Sequence, residues 1–399
     1  MAPTATHLIE RLHETLDGDA RLARLLQRSL QRAHERAEAD LDPALFAALE
    51  WPTTIEAYTD YITTFLRWIP QQSDATAWTD DDPQHRNSRE VSDRLAHFFF
   101  LVDQHDGEDA GAAEGSAEFR EWLTQVATEW GAFLDTPESF DDDILRTFVQ
   151  DSPEYTVEES LVDGRPNEPS GWRTFNQFFA RELNAGLRPI AEPGSNLLVT
   201  SPADCSYQHS YDIDDESNIP AVRVKNIKTY GNIRTLLEGS EYADAFAGGT
   251  FVHYMLPPSA YHRFHVPVAG AVREARVVQG QVYMQVDLRD GQLASLDRTE
   301  TGYEFFQTRG VVVVDTAGSP GGDVGLVGVV PVGMAHVASV VLTAQAGAEV
   351  AKGEEFGYFQ FGGSDIVLLF QAGTQPQVDT SADFRHVGTP AVRLTGRRS

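Results

Sequence analysis

Phe-Gln-Phe-Gly-Gly-Ser-Asp-Ile-Val-Leu-Leu-Phe, residues 359–370, places a Gly-Gly-Ser junction between two apolar runs that are typical of β-strands. Gly363 has no side chain, so a neighbouring nucleophile can approach its carbonyl closely. The hydroxyl of Ser364 belongs to the next residue and can attack that carbonyl, which converts the peptide to an ester. Elimination from the ester leaves dehydroalanine, which hydrolyses to a pyruvoyl group at the start of a new chain. A bulge or tight bend between two strands is the alternative interpretation.

Ordered motifs elsewhere in the chain accompany this junction. They are Phe175 to Pro189, Ser201-Pro202-Ala203-Asp204, Gly248-Gly249, Tyr261-His262-Arg263-Phe264-His265-Val266-Pro267, Val332-Gly333-Met334 and Val350 to Phe359. Together with the Gly-Gly-Ser they resemble the phosphatidylserine decarboxylase family of self-processing, pyruvoyl-dependent enzymes. The resemblance covers about residues 150–375, and the order of several separate motifs makes it specific.

The resemblance implies a role for each matching residue. The bond between Gly363 and Ser364 is the expected cleavage site, and Ser364 is the expected precursor of the pyruvoyl cofactor. Asp204 and His265 complete a processing triad with Ser364, in which Asp204 fixes the tautomer of His265. His262 is then the candidate proton donor in catalysis, since a histidine can hold a proton near neutral pH. A substrate amine condenses with the pyruvoyl carbonyl, which accepts the electrons left when carbon dioxide departs.

Two residues depart from the usual family pattern. Cys205 follows Asp204 where the family usually has glycine, and Asp365 follows Ser364 where it usually has threonine. We expect Cys205 to be a small buried residue rather than a second nucleophile. The carboxylate of Asp365 either slows processing by disfavouring the developing oxyanion or helps to orient the hydroxyl of Ser364. The sequence leaves both effects of Asp365 open.

The chain has only three lysines that could form a Schiff base or carry a covalently bound group. The lysines are Lys225, Lys228 and Lys352. A pyridoxal phosphate enzyme needs a Schiff-base lysine, and we predict a surface turn around Lys352, so no pyridoxal phosphate is expected. The segment Gly347 to Glu354 also resembles the turn of biotinyl and lipoyl domains, which makes a non-catalytic carrier or binding module the alternative of another class. Those domains modify a lysine at a hairpin tip, a setting that no lysine has here.

Three histidines are candidates for a metal site: His253, His262 and His265. Three histidines can ligate zinc. Alternation along a regular strand would, however, place His262 and His265 on opposite faces. We therefore expect no metal.

Net charge limits the partners of the protein. Sixty acidic residues oppose 31 basic ones, which gives a formal net charge of −29. This acidity disfavours nucleic acid as a partner and disfavours an electrostatic grip on an anionic membrane. An acidic, lysine-poor composition is also expected of halophilic proteins, in which dense counterions screen the repulsion. A GC-rich genome would explain the shortage of lysine but not the acidity.

Periodicity predicts an α+β protein in which helices precede a mainly antiparallel β domain. Apolar residues recur at helical spacing through residues 1–150, the predicted helical accessory domain. Residues 151–194 are predicted to be a connecting loop and an amphipathic helix from Trp172 to Asn184. Residues 195–399 are predicted to be the catalytic β domain, cleaved at 363/364, with a late strand in His386 to Leu394. Its other predicted strands are Thr250–Tyr254, Val272–Val278, Gln281–Val286, Gly310–Val314, Val324–Val330 and Ala338–Thr343.

The cellular setting is predicted from what the sequence contains. A chain of 399 residues with one cysteine is compatible with two domains in a reducing compartment. Apolar runs stay well short of about eighteen residues and the first residues carry no signal pattern, so we expect a soluble, cytoplasmic protein. Peripheral contact with a membrane has no support from a basic interfacial segment. The resemblance further implies that the cleaved chains stay associated and that the protein forms a homo-oligomer.

The substrate is the least defined property. Resemblance to the family as a whole implies decarboxylation of phosphatidylserine to phosphatidylethanolamine. The helical N-terminal region resembles an extension found in a subfamily that includes soluble tryptophan decarboxylases, on the evidence of Trp51-Pro52 and Met334. The sequence therefore predicts either a serine-headgroup lipid or a small soluble amine, with a tryptophan-type amino acid as the alternative substrate.

Overall fold

The computed structural model describes residues 5–79, 88–105, 112–168, 171–224, 228–282, 284–295, 302–334 and 340–395. The chain divides into two compact units. The helical unit comprises residues 1–158, 171–178 and 281–297, and the sheet unit comprises residues 159–170, 179–280 and 298–399. Helices that precede a mainly antiparallel sheet confirm the predicted α+β class. The predicted boundaries at residues 150 and 194 stay predictions, since each unit is built from segments that are not contiguous in sequence.

The helical unit consists of amphipathic helices. Within the described residues its main helices are α1 (Ala5–Gly18), α2 (Ala20–Asp40), α3 (Pro43–Ala48), α4 (Ile55–Phe65), α5 (Glu90–Val102), α6 (Ala117–Leu134) and α7 (Asp142–Gln150). In α1, Leu8, Leu12 and Leu16 are buried at the spacing that the periodicity predicts. Helix α2 begins at an N-cap, where the carboxylate of Asp19 accepts hydrogen bonds from the backbone N–H groups two and three residues later. Candidate membrane-spanning helices were not found in the described part of the chain.

Most of the strands belong to the sheet unit. The described strands are β1 (Leu161–Val162), β2 (Arg165–Pro166), β3 (Leu198–Thr200), β4 (Ser206–Asp212), β5 (Asn218–Val224), β6 (Lys228–Asn232), β7 (Thr250–Leu256), β8 (Arg263–His265), β9 (Gly270–Val278), β10 (Val286–Arg289), β11 (Gln292–Ser295), β12 (Arg309–Asp315), β13 (Leu326–Met334), β14 (Val340–Leu342), β15 (Glu349–Val350), β16 (Glu355–Phe359), β17 (Gly363–Phe370), β18 (Gln377–Val378) and β19 (Pro390–Arg393). Two short helices accompany them, α8 (Phe175–Phe179) and α9 (Ile233–Leu236).

An antiparallel sheet forms the centre of the sheet unit. Its seven described strands lie in the order β15-β9-β12-β13-β17-β7-β4. Strand β17 therefore lies inside the sheet, hydrogen-bonded to β13 on one side and to β7 on the other. Smaller three-stranded sheets join β14, β16 and β8, and join β18, β19 and β3.

A pair of glycines permits the close packing of β7 against β17. Gly248 has a φ of +70°, a conformation that favours glycine. A Cβ atom on Gly249 would lie 2.0 Å from the carbonyl oxygen of Phe370, at the end of β17. The Gly248-Gly249 motif in the sequence therefore marks a place where two backbones meet without room for a side chain.

The predicted helix from Trp172 to Asn184 is wrong in its length, because α8 covers only Phe175–Phe179. The residues that follow α8 make hydrogen bonds to a distant side chain instead. The guanidinium of Arg263 donates from Nε to the carbonyl of Ala180 over 2.7 Å and from Nη2 to the carboxylate of Glu182 over 2.6 Å. The carbonyl that follows α8 is thus used by a tertiary contact, which helix propensity does not anticipate.

Most predicted strands are present, including the late strand, which is β19. The strand predicted at Gln281–Val286 is wrong, because β10 begins only at Val286. Strands β10 and β11 form a hairpin with a two-residue turn, in which Asp290 and Gly291 both have positive φ angles. Asp-Gly is a strong signal for such a turn and predicts this register. Residues 338–339 of another predicted strand lie outside the described residues.

Lys352 lies in a turn, as the sequence predicted, but its side chain is not on the surface and is 6 % exposed. Its ammonium group donates hydrogen bonds to the carbonyl oxygens of Glu192, Ser195 and Leu198, at 3.0, 3.0 and 2.5 Å. Three backbone carbonyls converge on one cation, so this lysine closes a loop of the sheet unit. That contact also leaves it unsuited to be the exposed lysine of a carrier domain.

We expect Lys352→Met to destabilise the protein by about 2–4 kcal/mol, because it leaves buried carbonyl groups without a donor. Chemical denaturation monitored by tryptophan fluorescence measures this change in the free energy of unfolding. The control is Arg146→Met, which removes an exposed cation from α7. Equal unfolding midpoints for the two variants would contradict the structural role of Lys352.

Candidate active site

The Gly-Gly-Ser junction lies at the start of the inner strand β17. The chain leaves β16 at Phe359, bends, and enters β17 at Gly363. Gly362 has a φ of +146°, so the left-handed backbone of the bend belongs to the first glycine of the pair. Ser364 is 1 % exposed and pairs with Gly333 of β13 and with Leu256 of β7. The sheet therefore holds the predicted scissile peptide from both sides.

His262 is the histidine that meets Ser364. The Ser364 hydroxyl lies 3.4 Å from Nδ1 of His262, and both residues are buried. The other ring nitrogen, Nε2, lies 3.2 Å from the carbonyl oxygen of Pro258. A carbonyl only accepts hydrogen bonds, so Nε2 carries the proton and Nδ1 presents a lone pair to the Ser364 hydroxyl.

The surroundings of His262 keep its imidazole neutral. Burial, and then the positive charge of Arg181, lower the pKa of His262 to about 3. The ring of Phe179 stacks on the imidazole with centroids 4.0 Å apart, and Phe361 packs edge-on against Phe179. His262 is therefore a free base in an apolar enclosure at neutral pH, able to accept the Ser364 proton.

His265 lies in a different set of contacts. Its Nδ1 donates to the carbonyl of Gly353 over 2.8 Å, and its Nε2 lies 3.1 Å from the hydroxyl of Tyr261. Burial lowers its pKa. The structure does not bring His265 to Ser364 by a hydrogen bond within the described residues. The predicted pairing of these two residues is not the arrangement found.

Asp204 is buried in a network that the sequence did not single out. Its carboxylate accepts from Arg188 at 2.6 Å, lies 3.0 Å from Nδ1 of His386, and accepts from the backbone N–H of Val387 at 2.7 Å. The described residues show no hydrogen bond from Asp204 to His265, so the predicted support of that histidine is absent here. Arg188 lies in the Phe175 to Pro189 motif, so the sequence offered a reason to consider it as a site residue. No motif in the sequence pointed to His386 as a site residue.

Asp365 belongs to a third buried cluster, on the other side of the sheet from Ser364. Its Oδ2 lies 3.0 Å from Nε2 of His253, and Nδ1 of His253 lies 3.3 Å from a carboxylate oxygen of Glu304. Burial opposes a charged imidazole, but the carboxylates of Glu304 and Asp365 together raise the pKa of His253 to about 9. The imidazole of His253 therefore lies between two acidic side chains, and burial raises the pKa of one of them, Glu304.

The three histidines considered for a metal site thus contact different partners. A group of three or more histidine, cysteine or acidic residues arranged to hold a metal ion is not found in the part of the chain that the structure describes. Of the lysines considered for pyridoxal phosphate, Lys225 lies outside the described residues.

Cys205 is fully buried, as predicted for a small core residue. Its sulfur lies 3.3 Å from the hydroxyl of Ser201. Burial raises the pKa of the Cys205 thiol to about 12. Because the thiolate is the nucleophilic form, burial and the raised pKa disfavour Cys205 as a second nucleophile.

Sequence comparisons show the family of this chain. A sequence model of phosphatidylserine decarboxylase matches residues 175–388. A decarboxylase of Amanita muscaria named iboD is 29% identical over 63% of this chain and 77% of its own length. The phosphatidylserine decarboxylase proenzyme of Chlamydia trachomatis is 32% identical over 57% of this chain and 69% of its own length. The chain belongs to the phosphatidylserine decarboxylase family and is a carboxy-lyase of that family.

Some relatives are much longer than this chain. The match to the phosphatidylserine decarboxylase proenzyme 3 of Schizosaccharomyces pombe has 33% identity and covers 50% of this chain but 19% of that protein. The shared part is in every case a region of the relative rather than the whole. These matches do not favour the carrier alternative.

Proposed function

We propose that the chain cuts itself between Gly363 and Ser364 and then releases carbon dioxide from an amino-acid carboxylate with a pyruvoyl group derived from Ser364. The observation that carries the proposal is the contact of the Ser364 hydroxyl with Nδ1 of His262, a neutral base, at the start of a strand inside the sheet. A serine hydroxyl is a weak nucleophile unless a base is within reach.

Self-cleavage follows from this contact in three steps. Nδ1 of His262 takes the Ser364 proton, and the oxygen attacks the carbonyl carbon of Gly363. The bond from that carbon to the nitrogen of Ser364 then breaks, and the nitrogen regains a proton, which leaves an ester. The nitrogen receives the proton that His262 took, so the imidazole is again neutral and can take the α-proton of residue 364 as the carboxylate of Gly363 leaves. The resulting dehydroalanine tautomerises to an imine, to which water adds and from which ammonia leaves.

The residues around position 364 suit a pyruvoyl group. Such a group supplies an electrophilic carbonyl that takes up the electrons left when a carboxylate departs as carbon dioxide. Phe179 and Phe361 exclude water from one side. Nδ1 of His262 faces position 364, where it can pass a proton to the carbon that lost carbon dioxide.

Sheet pairing supports lasting association of the two cleaved chains. Residues 364–399 include nearly all of β17, which is paired along both edges. They also include β19, which pairs with β3, and His386, which contacts Asp204 across the cut. Release of the small chain would open the middle of a buried sheet. Assembly into a homo-oligomer and a cytoplasmic location stay predictions.

We propose phosphatidylserine as the family-level substrate, since most of the named relatives are phosphatidylserine decarboxylases. A tryptophan-type amino acid is the competing substrate. The comparisons do not favour it, and its support is the predicted likeness of the helical extension. The net charge of −29 opposes binding to anionic bilayers, so lipid presented in neutral detergent micelles is the appropriate form for an assay.

Substrate trapping tests the proposed function. Carbon dioxide release is compared for phosphatidylserine in neutral micelles and for tryptophan, followed by borohydride treatment and mass analysis of the separated chains. We expect borohydride to add the mass of the true substrate to the small chain, because the reactive carbonyl is on residue 364. Added pyridoxal phosphate is expected to have no effect. Trapping on the large chain would instead place the reactive group on a lysine and contradict the proposal.

A further inference from the structure

Asp365 is a buried carboxylate directly after the proposed nucleophile. It is 2 % exposed, and its ion-pair partner His253 is 3 % exposed. Glu304, on the other side of His253, is fully buried. A carboxylate removed from water is costly unless a charged or hydrogen-bonding partner compensates it. The neighbouring imidazole of His253 therefore restricts the position of the Asp365 side chain.

Strand register shows how this cluster relates to the reaction centre. In the pairing of β17 with β7, Ser364 is opposite Leu256 and Val367 is opposite His253. Side chains alternate along a strand, so Asp365 points to the face that His253 occupies while Ser364 points to the face of His262. Asp365 thus contacts neither the hydroxyl nor His262. If Asp365 helps to orient the hydroxyl of Ser364, one of the two effects that the sequence left open, it does so without direct contact between the two side chains.

Apolar packing makes the cluster rigid. Buried residues on the same face include Val367 of β17, Phe251 of β7 and Val332 of β13. An imidazole between two acidic side chains in such surroundings has few alternative positions, because leaving them would place a polar group against the apolar core. The backbone at residue 365 is therefore held by its side chain as well as by the two neighbouring strands.

We propose that Asp365, anchored by His253 and Glu304, is a positioning residue that fixes the peptide between residues 364 and 365. Before cleavage it holds the Ser364 hydroxyl at Nδ1 of His262, and after cleavage it holds the new chain end at the same point. This inference rests on the proposed function. Positioning by Asp365 matters most after self-cleavage, because residue 364 then loses its covalent link to Gly363.

The rate of self-cleavage measures the positioning. Full chains are made by cell-free synthesis with a radioactive label, and conversion of the 44.0 kDa chain to its products is followed with time. We expect Asp365→Ala to cleave at least about tenfold more slowly, which corresponds to about 1.4 kcal/mol of lost transition-state stabilisation. Asp365→Asn keeps the size and a hydrogen-bond acceptor, so its rate should lie between those of Asp365→Ala and the wild type.

A double variant tests whether the cluster acts as a unit. If Asp365 acts through His253, Asp365→Ala combined with His253→Ala should cleave no more slowly than the slower single variant. In the cleaved fraction we expect Asp365→Ala to lower kcat and to leave KM within about twofold, because the side chain does not touch substrate. The matched control is Thr316→Val, which removes buried hydrogen bonds to Val324 and Gly325 at the far end of the sheet, and it should cleave at the wild-type rate.

The outcomes separate this inference from the proposed function. A wild-type chain that stays at 44.0 kDa contradicts both. If the wild type cleaves and Asp365→Ala cleaves equally fast, the positioning role alone is contradicted. The same holds if the rate losses of the two single variants multiply in the double variant, or if Thr316→Val cleaves as slowly as Asp365→Ala. Should Asp365→Ala fail to fold, Asp365→Asn decides the matter, and a wild-type rate for that variant overturns the inference.

Discussion

Ser364→Ala is expected to remain a single 44.0 kDa chain and to release no carbon dioxide. The variant lacks the oxygen that attacks Gly363, so neither the ester nor the new chain end can form. The wild type should yield residues 1–363 and 364–399, of about 40 and about 4 kDa by length. We expect the decarboxylation rate to fall by at least about 10³-fold, on the scale seen when a nucleophile that acts with a base is removed.

Intact-mass analysis and a carbon dioxide assay on freshly purified protein check this result. Ser206→Ala is the matched control, since Ser206 begins β4 and is only partly buried. It should cleave and turn over like the wild type. An uncut Ser364→Ala that still decarboxylates would show that the reactive group lies elsewhere, and an uncut, active wild type would remove the pyruvoyl mechanism altogether.

His262→Ala is expected to slow self-cleavage and to lower turnover of the cleaved fraction by about 10²–10⁴-fold, the usual contribution of a positioned acid or base. The reason is that His262 contacts Ser364, whereas the ring nitrogens of His265 are engaged by Gly353 and Tyr261. The pKa of about 3 adds an expectation for the wild type. Because protonation would remove the base only near that pKa, loss of the His262 base should not slow cleavage between pH 8 and about pH 5.

The matched variant is His265→Ala, assayed for cleavage and for carbon dioxide release beside His262→Ala. The sequence resemblance predicts that His265 is the processing base and that His262 acts only in turnover. Full cleavage of His262→Ala together with no cleavage of His265→Ala would show that His265 is the base in self-cleavage. Slower cleavage of His262→Ala alone would support the arrangement seen in the structure.

Local sequence pattern alone determined where the proposed chemistry is placed along this chain. A Gly-Gly-Ser between apolar runs is a short-range signal, and the residues that matter for it, Gly363 and Ser364, are adjacent in sequence. Ordered motifs added the family, and the change from helical to alternating periodicity predicted the α+β class. These properties depend on neighbouring residues and on their order, which a single sequence contains in full.

Only the tertiary structure decided which groups meet. Ser364 and His262 are 102 residues apart, and Asp204 and His386 are 182 apart. Their contacts depend on the order and register of strands in the sheet, and a shift by one residue would send each side chain to the opposite face. Burial of Lys352 on three carbonyls and the early end of α8 at the guanidinium of Arg263 have the same origin. In each case a long-range hydrogen bond outweighs the local preference, because a buried polar group must find a partner wherever the fold provides one.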